Sequence, residues 1–229
     1  NIREEINLSR GLIVTENLKT NTINKIKRYY RDKGYLNATA SIESVVDTSV
    51  NNAVLLNIFI EPGERVKIRD INFHGNVELS DKKLRKAMEE TKRKRIWSLF
   101  RSSKLIKEEY KNDRQLIIDA YNENGFRDAR ILRDSIYQVS DNRVVIDIYV
   151  EEGSKFYFGS IDWLGNTKYP SEVLENVLRI RKGDVYDGKL LQERLFFDPN
   201  GNDVSSLYLD NGYLFFQLNP VEVRVENDS

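Results

Sequence analysis

Residues 125–153 read GFRDARILRDSIYQVSDNRVVIDIYVEEG, two strand-like runs on either side of Ser140-Asp141-Asn142. In the second run Val144, Ile146, Ile148 and Val150 alternate with Val145, Asp147 and Tyr149. That period of two belongs to a strand with one face on a core, and Ser-Asp-Asn is turn chemistry, so the stretch is an antiparallel hairpin. It contains no histidine and no cysteine. Its meaning lies in recurrence, because related stretches open with GYLNA at Gly34 and with GYLFF at Gly212.

Internal repetition is the strongest signal in the chain. A shift of 90 positions lays Val54, Leu56, Ile58 and Ile60 on Val144, Ile146, Ile148 and Val150, then EPG (61–63) on EEG (151–153). The match runs on without a gap: Val66 and Ile68 meet Phe156 and Phe158, Ile71 and Phe73 meet Ile161 and Trp163, and Gly75-Asn76 meets Gly165-Asn166. A second set links Ile26, Tyr29, Tyr30 and Gly34 to Ile117, Ala120, Tyr121 and Gly125, and these to Val204, Leu207, Tyr208 and Gly212. The chain therefore holds three copies of a unit of about 90 residues.

The middle copy, 64–153, gives the order of elements. VKIRDINFHGN (66–76) has strand composition and ends on a Gly-Asn turn; Ser80 is placed as the N-cap of a short helix, DKKLRKAMEET. A second helix runs from about Lys104 to Asn124, with Ile106, Tyr110, Ile117, Ala120 and Tyr121 on one face and Gly125 as its left-handed cap. Two strands follow. The fold class is α+β, strand-helix-helix-strand-strand, each unit a three-stranded mixed sheet covered by two helices, the units strung into an elongated array. A hairpin plus a helical crossover places the last strand centrally and makes the strand after the glycine an edge. In the first copy that edge carries Ala38, Ala40 and Ile42 on one face against Asn37, Thr39, Ser41 and Glu43 on the other.

Composition bounds the function. The 229 residues carry 36 basic and 36 acidic side chains and no cysteine, which excludes disulfides and thiolate chemistry and argues against a nucleic-acid partner, whose phosphates demand a basic excess. No apolar run approaches the roughly 20 residues of a membrane-spanning helix. No constellation of nucleophile, base and orienting group is present, so the chain is not expected to be an enzyme, and no cofactor or metal is expected.

The local candidates are few. KRKRIWSLFRSSK (92–104) sets Arg93, Lys94 and Arg95 beside Trp97 and Phe100, in a connection that is short and glycine-centred in the other copies (SRGLIVT and RKGDVYD). Cations with interfacial aromatics suit a membrane surface or a partner protein; the alternative is a solvated charge run over packed aromatics. DPNGND (198–203) begins like a calcium loop, but its sixth and twelfth positions are Asp203 and Leu209 instead of glycine and a bidentate acid. It is better read as a turn in an insertion, since Gly183 to Gly212 is six residues longer than Gly11 to Gly34. His74, the single histidine, corresponds to Leu164 in the third copy and is assigned to a structural turn. Asn7 and Asn37 head glycosylation sequons, a pattern short enough to occur by chance, and Glu89-Glu90 and Glu108-Glu109 belong to solvated helix faces.

A tandem of such units, each with a Gly-Asn turn after its first strand and a Gly-aromatic pair after its second helix, resembles the POTRA domains of outer-membrane assembly factors of the BamA family. KRKRIWSLFRSSKLIKEEYKNDRQLIIDAYNENGFRDA (92–129) and LQERLFFDPNGNDVSSLYLDNGYLFF (191–216) look close to Bacteroidetes-type members, and the resemblance covers essentially the whole chain. It implies the periplasmic portion of a Gram-negative outer-membrane protein, a scaffold preceding a C-terminal membrane barrel. Its partners would be nascent outer-membrane β-barrel proteins and accessory lipoproteins. POTRA units of other secretion transporters, which bind one exported substrate, are the alternative. Residues 1–63 then form a unit lacking its first strand, 64–153 a complete unit, and 154–229 a unit lacking its last strand.

Incomplete sheets present unpaired edges, which predicts strand-mediated self-association, and complete sheets offer their edge strands to clients. The expected edges are Tyr35 to Val46, with Tyr35, Asn37 and Thr39, and Phe126 to Tyr137, with Phe126, Asp128, Arg130 and Leu132; Pro220 weakens the third, Tyr213 to Val225. A parity switch completes the reading. Val66 and Ile68 share one parity and Ile71 and Phe73 the other, as do Phe156 and Phe158 against Ile161 and Trp163. The first pair of each set is expected at the junction with the preceding unit and the second in its own core, with a stiff joint of about three residues.

Overall fold

The computed structural model describes residues 2–91 and 105–222. In chain order it holds α1 (Ile2–Ile6), α2 (Glu16–Asp32), β1 (Thr39–Val46), β2 (Val54–Glu61), β3 (Lys67–His74), α3 (Asp81–Ala87), α4 (Lys107–Asn122), β4 (Arg130–Ser140), β5 (Arg143–Glu151), α5 (Ser171–Leu178), α6 (Gly188–Gln192), a π-helical turn (Glu193–Phe197) and α7 (Val204–Leu209). Two compact sets of residues make it up: 1–72, 88–115 and 134–148 form one, and 73–87, 116–133 and 149–229 the other.

In the first set, Thr15 starts α2 by accepting the N–H of Leu18 at 3.1 Å, a cap that satisfies one of the orphan donors of the first turn. β1 and β2 pair antiparallel from Thr39↔Glu61 to Val46↔Val54. That register puts Ala40, Ile42, Leu56, Ile58 and Ile60 on the half-buried face, as the alternation requires. Ile26 of α2 is buried, and sealing such a side chain from water stabilises by about 2 kcal/mol. The two strands have no third neighbour among the described residues.

The three-stranded sheet has the order β3-β5-β4, with the last strand in the middle, as the hairpin-plus-crossover argument predicts. β5 is central because it can be: Val144, Ile146, Ile148 and Val150 are all buried. On its other face Asp147 accepts a 2.8 Å hydrogen bond from Asn72. Ser80 caps α3, its hydroxyl accepting from Lys83 N–H at 3.4 Å, and Ile117 and Tyr121 of α4 are buried on one face.

The third copy departs from expectation. No strand forms in 154–164 or in 213–222; a single bridge, Tyr157↔Val185, is all the β structure there. The reason is physical: both segments would flank a central strand, and among the described residues neither has a ladder partner, so their amides are satisfied in turns or by water instead. A helical cluster still forms, with Leu174, Leu178, Ile180, Leu195, Val204 and Tyr208 at its centre. Phe158 belongs to that cluster, which corrects its assignment to a junction; Ile161 and Trp163 pack against it as expected. The inserted residues interrupt the second helix between α6 and α7, and Asp203 restarts it by accepting from Ser206 N–H at 2.8 Å and from Asp198 N–H at 3.2 Å.

Candidate functional site

The two glycine turns set where the edges begin. After α2 and after α4 the chain reverses through Gly34 and Gly125, at φ +86° and +92°. The next N–H bonds back to the helix, Tyr35 to Tyr30 at 2.9 Å and Phe126 to Tyr121 at 3.0 Å. A second turn follows, closed by Ala38 N–H on Tyr35 and Ala129 N–H on Phe126. Only then does extended backbone start. Tyr35, Asn37, Phe126 and Asp128 therefore precede the strands, which corrects their placement on the edges; Thr39, Arg130 and Leu132 lie on β1 and β4.

Tyr35 and Phe126 do other work. Tyr35 meets Tyr30 edge-on at 5.7 Å, and Phe126, buried, meets Tyr121 edge-on at 6.0 Å. The Asn37 amide donates to the Asp141 carbonyl at 2.9 Å. Turn signals were visible in the sequence at Gly34 and Gly125, but the apolar pattern runs on through both turns and hides the point where the strand begins.

β4 is the longer edge, 11 residues against 8 for β1, and its only neighbour among the described residues is β5. Leu132, Ile136 and Tyr137 are 57, 40 and 45% exposed along it. Its charges are already held in place. Arg130 pairs with Glu151 at 2.6 Å, the Arg133 guanidinium lies 3.8 Å from the Tyr149 ring centre, and Asp134 faces Arg114 at 3.6 Å. Tyr149 also stacks on His74 at 4.5 Å, which gives that histidine a packing role at the end of β3. Among the described residues no strand pairs with the outer edge of β4, which lies beside exposed apolar side chains, the chemistry of strand addition. On β1, Val45 and Val46 are exposed in the same manner.

Two buried carboxylates hold the loops around this sheet. Glu152 accepts the N–H groups of Val77 (2.9 Å), Glu78 (2.9 Å) and Leu79 (3.1 Å). Asp113 of α4 accepts those of Glu89 (2.6 Å), Glu90 (3.2 Å) and Thr91. Neither role was anticipated from the sequence. Burial raises the Tyr121 hydroxyl above the ordinary tyrosine range, and the adjacent Glu152 adds to the shift; burial and Asp134 do the same for Tyr110.

In the third copy a cleft of about 550 Å³ is lined by Trp163, Leu174, Tyr208, Phe216 and Leu218 among others. Arg93, Lys94, Arg95, Trp97 and Phe100 lie outside the described residues. No helix among the described residues is long and apolar enough to cross a membrane.

Comparison with known proteins adds the following. The family model described as "POTRA: Surface antigen variable number repeat" matches residues 1–63, 66–153 and 156–229. Outer membrane protein assembly factor BamA of Neisseria meningitidis serogroup B is 33% identical over 186 residues, covering 78% of this chain and 23% of that protein. BamA of Neorickettsia risticii is 27% identical over 203 residues, covering 87% and 26%. A crystal structure of BamA POTRA domains 3–5 from Haemophilus influenzae aligns with a TM-score of 0.41 at 16% identity, over 83% of this chain and 75% of that one. The chain spans about a quarter of the length of the curated relatives it matches.

Proposed function

Because the chain belongs to the POTRA family, we propose that it is a periplasmic scaffold segment of an outer-membrane β-barrel assembly machine, built of three POTRA units over 1–63, 64–153 and 154–229. It binds unfolded outer-membrane proteins and accessory lipoproteins by β-strand addition, upstream of a membrane barrel in the same polypeptide. The observation that carries this reading is β4, an edge strand of 11 residues with no outer neighbour among the described residues. Backbone pairing makes little demand on client sequence, which suits a clientele of many nascent barrels that share strand propensity and alternation.

The side chains tune the preference. Leu132, Ile136 and Tyr137 would lie beside an added strand and favour apolar partners, while Arg130, Arg133 and Asp134 are already engaged within the protein. β1 offers a second edge, of which Thr39 is the first residue.

A proline scan along β4 tests this. Alternate amides of an edge strand point away from the sheet, so proline at successive positions from Leu132 to Tyr137 removes an outward donor at one parity and a ladder donor at the other. Prolines of the outward parity should weaken binding of an unfolded barrel protein by about tenfold with the melting temperature little changed. Binding that survives every such change would move the site to the groove between helices and sheet.

A further inference from the structure

Three asparagines in the chain stand directly before a glycine: Asn124, Asn200 and Asn211. Such a pair can react with itself. Once hydroxide has taken its proton, the glycine backbone nitrogen attacks the asparagine Cγ, and with no Cβ on the glycine nothing crowds that approach. The N–Cγ bond forms, the Cγ–Nδ2 bond breaks and ammonia leaves, giving a cyclic succinimide. Water then opens the ring at either carbonyl, to an aspartyl or an isoaspartyl residue. The fold controls the reaction through the carboxamide, which must turn towards the next nitrogen, and through the room around the pair.

The glycine amides do not distinguish the three pairs, since each donates to a carbonyl: Gly125 to Asn122 at 3.2 Å, Gly201 to Asp198 at 2.9 Å and Gly212 to Leu209 at 3.0 Å. The asparagine side chains do. Asn124 is held at both ends of its carboxamide, Nδ2 donating to the Ala120 carbonyl at 2.7 Å and Oδ1 accepting from the Lys83 ammonium, and Gly125 is buried. Asn211 is exposed, but its Nδ2 donates to the Leu207 carbonyl at 2.8 Å. Asn200 is exposed and its carboxamide has no hydrogen-bond partner among the described residues; only its backbone N–H is held, by Asp198 Oδ1 at 2.7 Å. Gly201 is exposed too, and a Cβ built there would meet nothing within 4 Å.

We propose that Asn200-Gly201 is a modification site, where the chain deamidates itself through a succinimide in preference to Asn211-Gly212 and Asn124-Gly125. The site lies in the insertion of the third copy, and its surroundings absorb the event. The succinimide nitrogen carries no hydrogen, so the Gly201 bond to Asp198 is lost, and the isoaspartyl product lengthens the backbone of the turn. Neither change reaches α7, because Asp203 accepts the Ser206 N–H and the Ser206 hydroxyl, both at 2.8 Å, beyond the reacting pair. The product adds a carboxylate to a turn that already holds those of Asp198 and Asp203.

The test keeps the intact chain at mildly alkaline pH and samples it over days. Digestion with pepsin in acid adds no deamidation of its own, mass spectrometry reads the exchange of NH2 for OH at each asparagine, and electron-transfer fragmentation separates the isoaspartyl from the aspartyl product. Asn200 should convert first. Asn211 should be about fivefold slower, the factor for one hydrogen bond that must break before reaction. Asn124 should be at least about tenfold slower than Asn200, because it waits on local opening of a buried turn. A free peptide of residues 197–204, FDPNGNDV, sets the unrestrained rate, and Asn200 in the chain should come within about tenfold of it. Gly201→Ala, which places a Cβ beside the attacking nitrogen, should slow conversion at 200 by about tenfold. Asn200→Ser should abolish the product and leave the melting temperature unchanged. Conversion of Asn211 or Asn124 ahead of Asn200, a rate at Asn200 more than about tenfold below that of the peptide, or one indifferent to Gly201→Ala would each overturn the proposal.

Discussion

The carboxylate of Glu152 accepts a 3.1 Å hydrogen bond from the N–H of Leu79, 73 residues earlier in the chain. The same carboxylate takes the N–H groups of Val77 and Glu78, so one side chain satisfies the backbone of the whole turn that leads into α3. Its neighbour Glu151 is exposed and holds Arg130 at 2.6 Å. Two adjacent glutamates thus have unrelated duties, Glu151 as the exposed last residue of β5 and Glu152 as the buried residue just after it.

Replacing Glu152 by alanine strands those buried donors and should cost about 2–4 kcal/mol, since an unmet buried polar group carries its full desolvation penalty. Glutamine, which keeps an acceptor oxygen, should cost less. Glu151→Ala, which removes only an exposed ion pair, should stay within about 1 kcal/mol of the parent. Urea denaturation of the three variants measures the order; equal losses at 151 and 152 would refute the assignment.

Asp113 makes a second comparison possible. Asp113→Ala leaves the N–H groups of Glu89, Glu90 and Thr91 without their shared acceptor and should destabilise by about 2–4 kcal/mol. Hydrogen exchange should accelerate first at 89–91, before the β5 amides respond, because the loop opens locally. Uniform acceleration along the chain would contradict that sequence of events.

Gly34 and Gly183 separate conformational strain from steric overlap. Both have φ near +90°, at +86° and +90°, but a Cβ at Gly34 would overlap the carbonyl of Leu105 while one at Gly183 meets nothing within 4 Å. Gly183→Ala should cost about 1–2 kcal/mol from backbone handedness alone. Gly34→Ala should cost at least about 1 kcal/mol more, because the docked chain must shift as well. Paired thermal melts decide the matter, and equal shifts would remove the overlap from the account.

Alkaline pH should unfold the protein through its buried tyrosines. Tyr110 and Tyr121 are held above the ordinary tyrosine range, chiefly by burial and further by Asp134 and Glu152. The unfolded chain loses these protons near pH 10, whereas the folded chain keeps them. Their contribution to stability is therefore complete below about pH 10 and is lost as pH rises above it toward the folded-state values. Urea midpoints from pH 8 to 11 should fall on the alkaline side, and Tyr121→Phe should flatten part of that fall. An unchanged slope in Tyr121→Phe would assign the effect to other groups.

Much of this was written in the sequence. The 90-residue recurrence, the central place of β5 and the glycine that ends each second helix follow from periodicity and turn chemistry, which are local properties. Three features were not legible, for related reasons. The start of β4 at Arg130 is masked by Phe126, which continues the apolar pattern yet belongs to a turn. That 154–164 and 213–222 form no strand follows from the want of a ladder partner among the described residues, and the strand-like composition of the two segments does not show how much each depends on one. Glu152 and Asp113 look like surface acids in a chain rich in them; only the fold brings three amides to each. One hint was available for Glu152: the first copy has Pro62 at the matching position, where no carboxylate could serve as such an acceptor.

The π-helical turn from Glu193 to Phe197 has a consequence for how this scaffold tolerates change. It ends one helix early, the Asp198–Gly201 turn closes with a 2.9 Å bond, and Asp203 begins the next helix afresh. Because α7 takes its start from its own cap, its phase is independent of how many residues come before it. Tyr208 and Gly212 therefore keep the relation that Tyr121 and Gly125 have in the uninterrupted helix. The 198–202 segment is a natural splice site, a place where foreign sequence, a fluorophore or an affinity handle can be inserted while the turn beyond α7 stays in register.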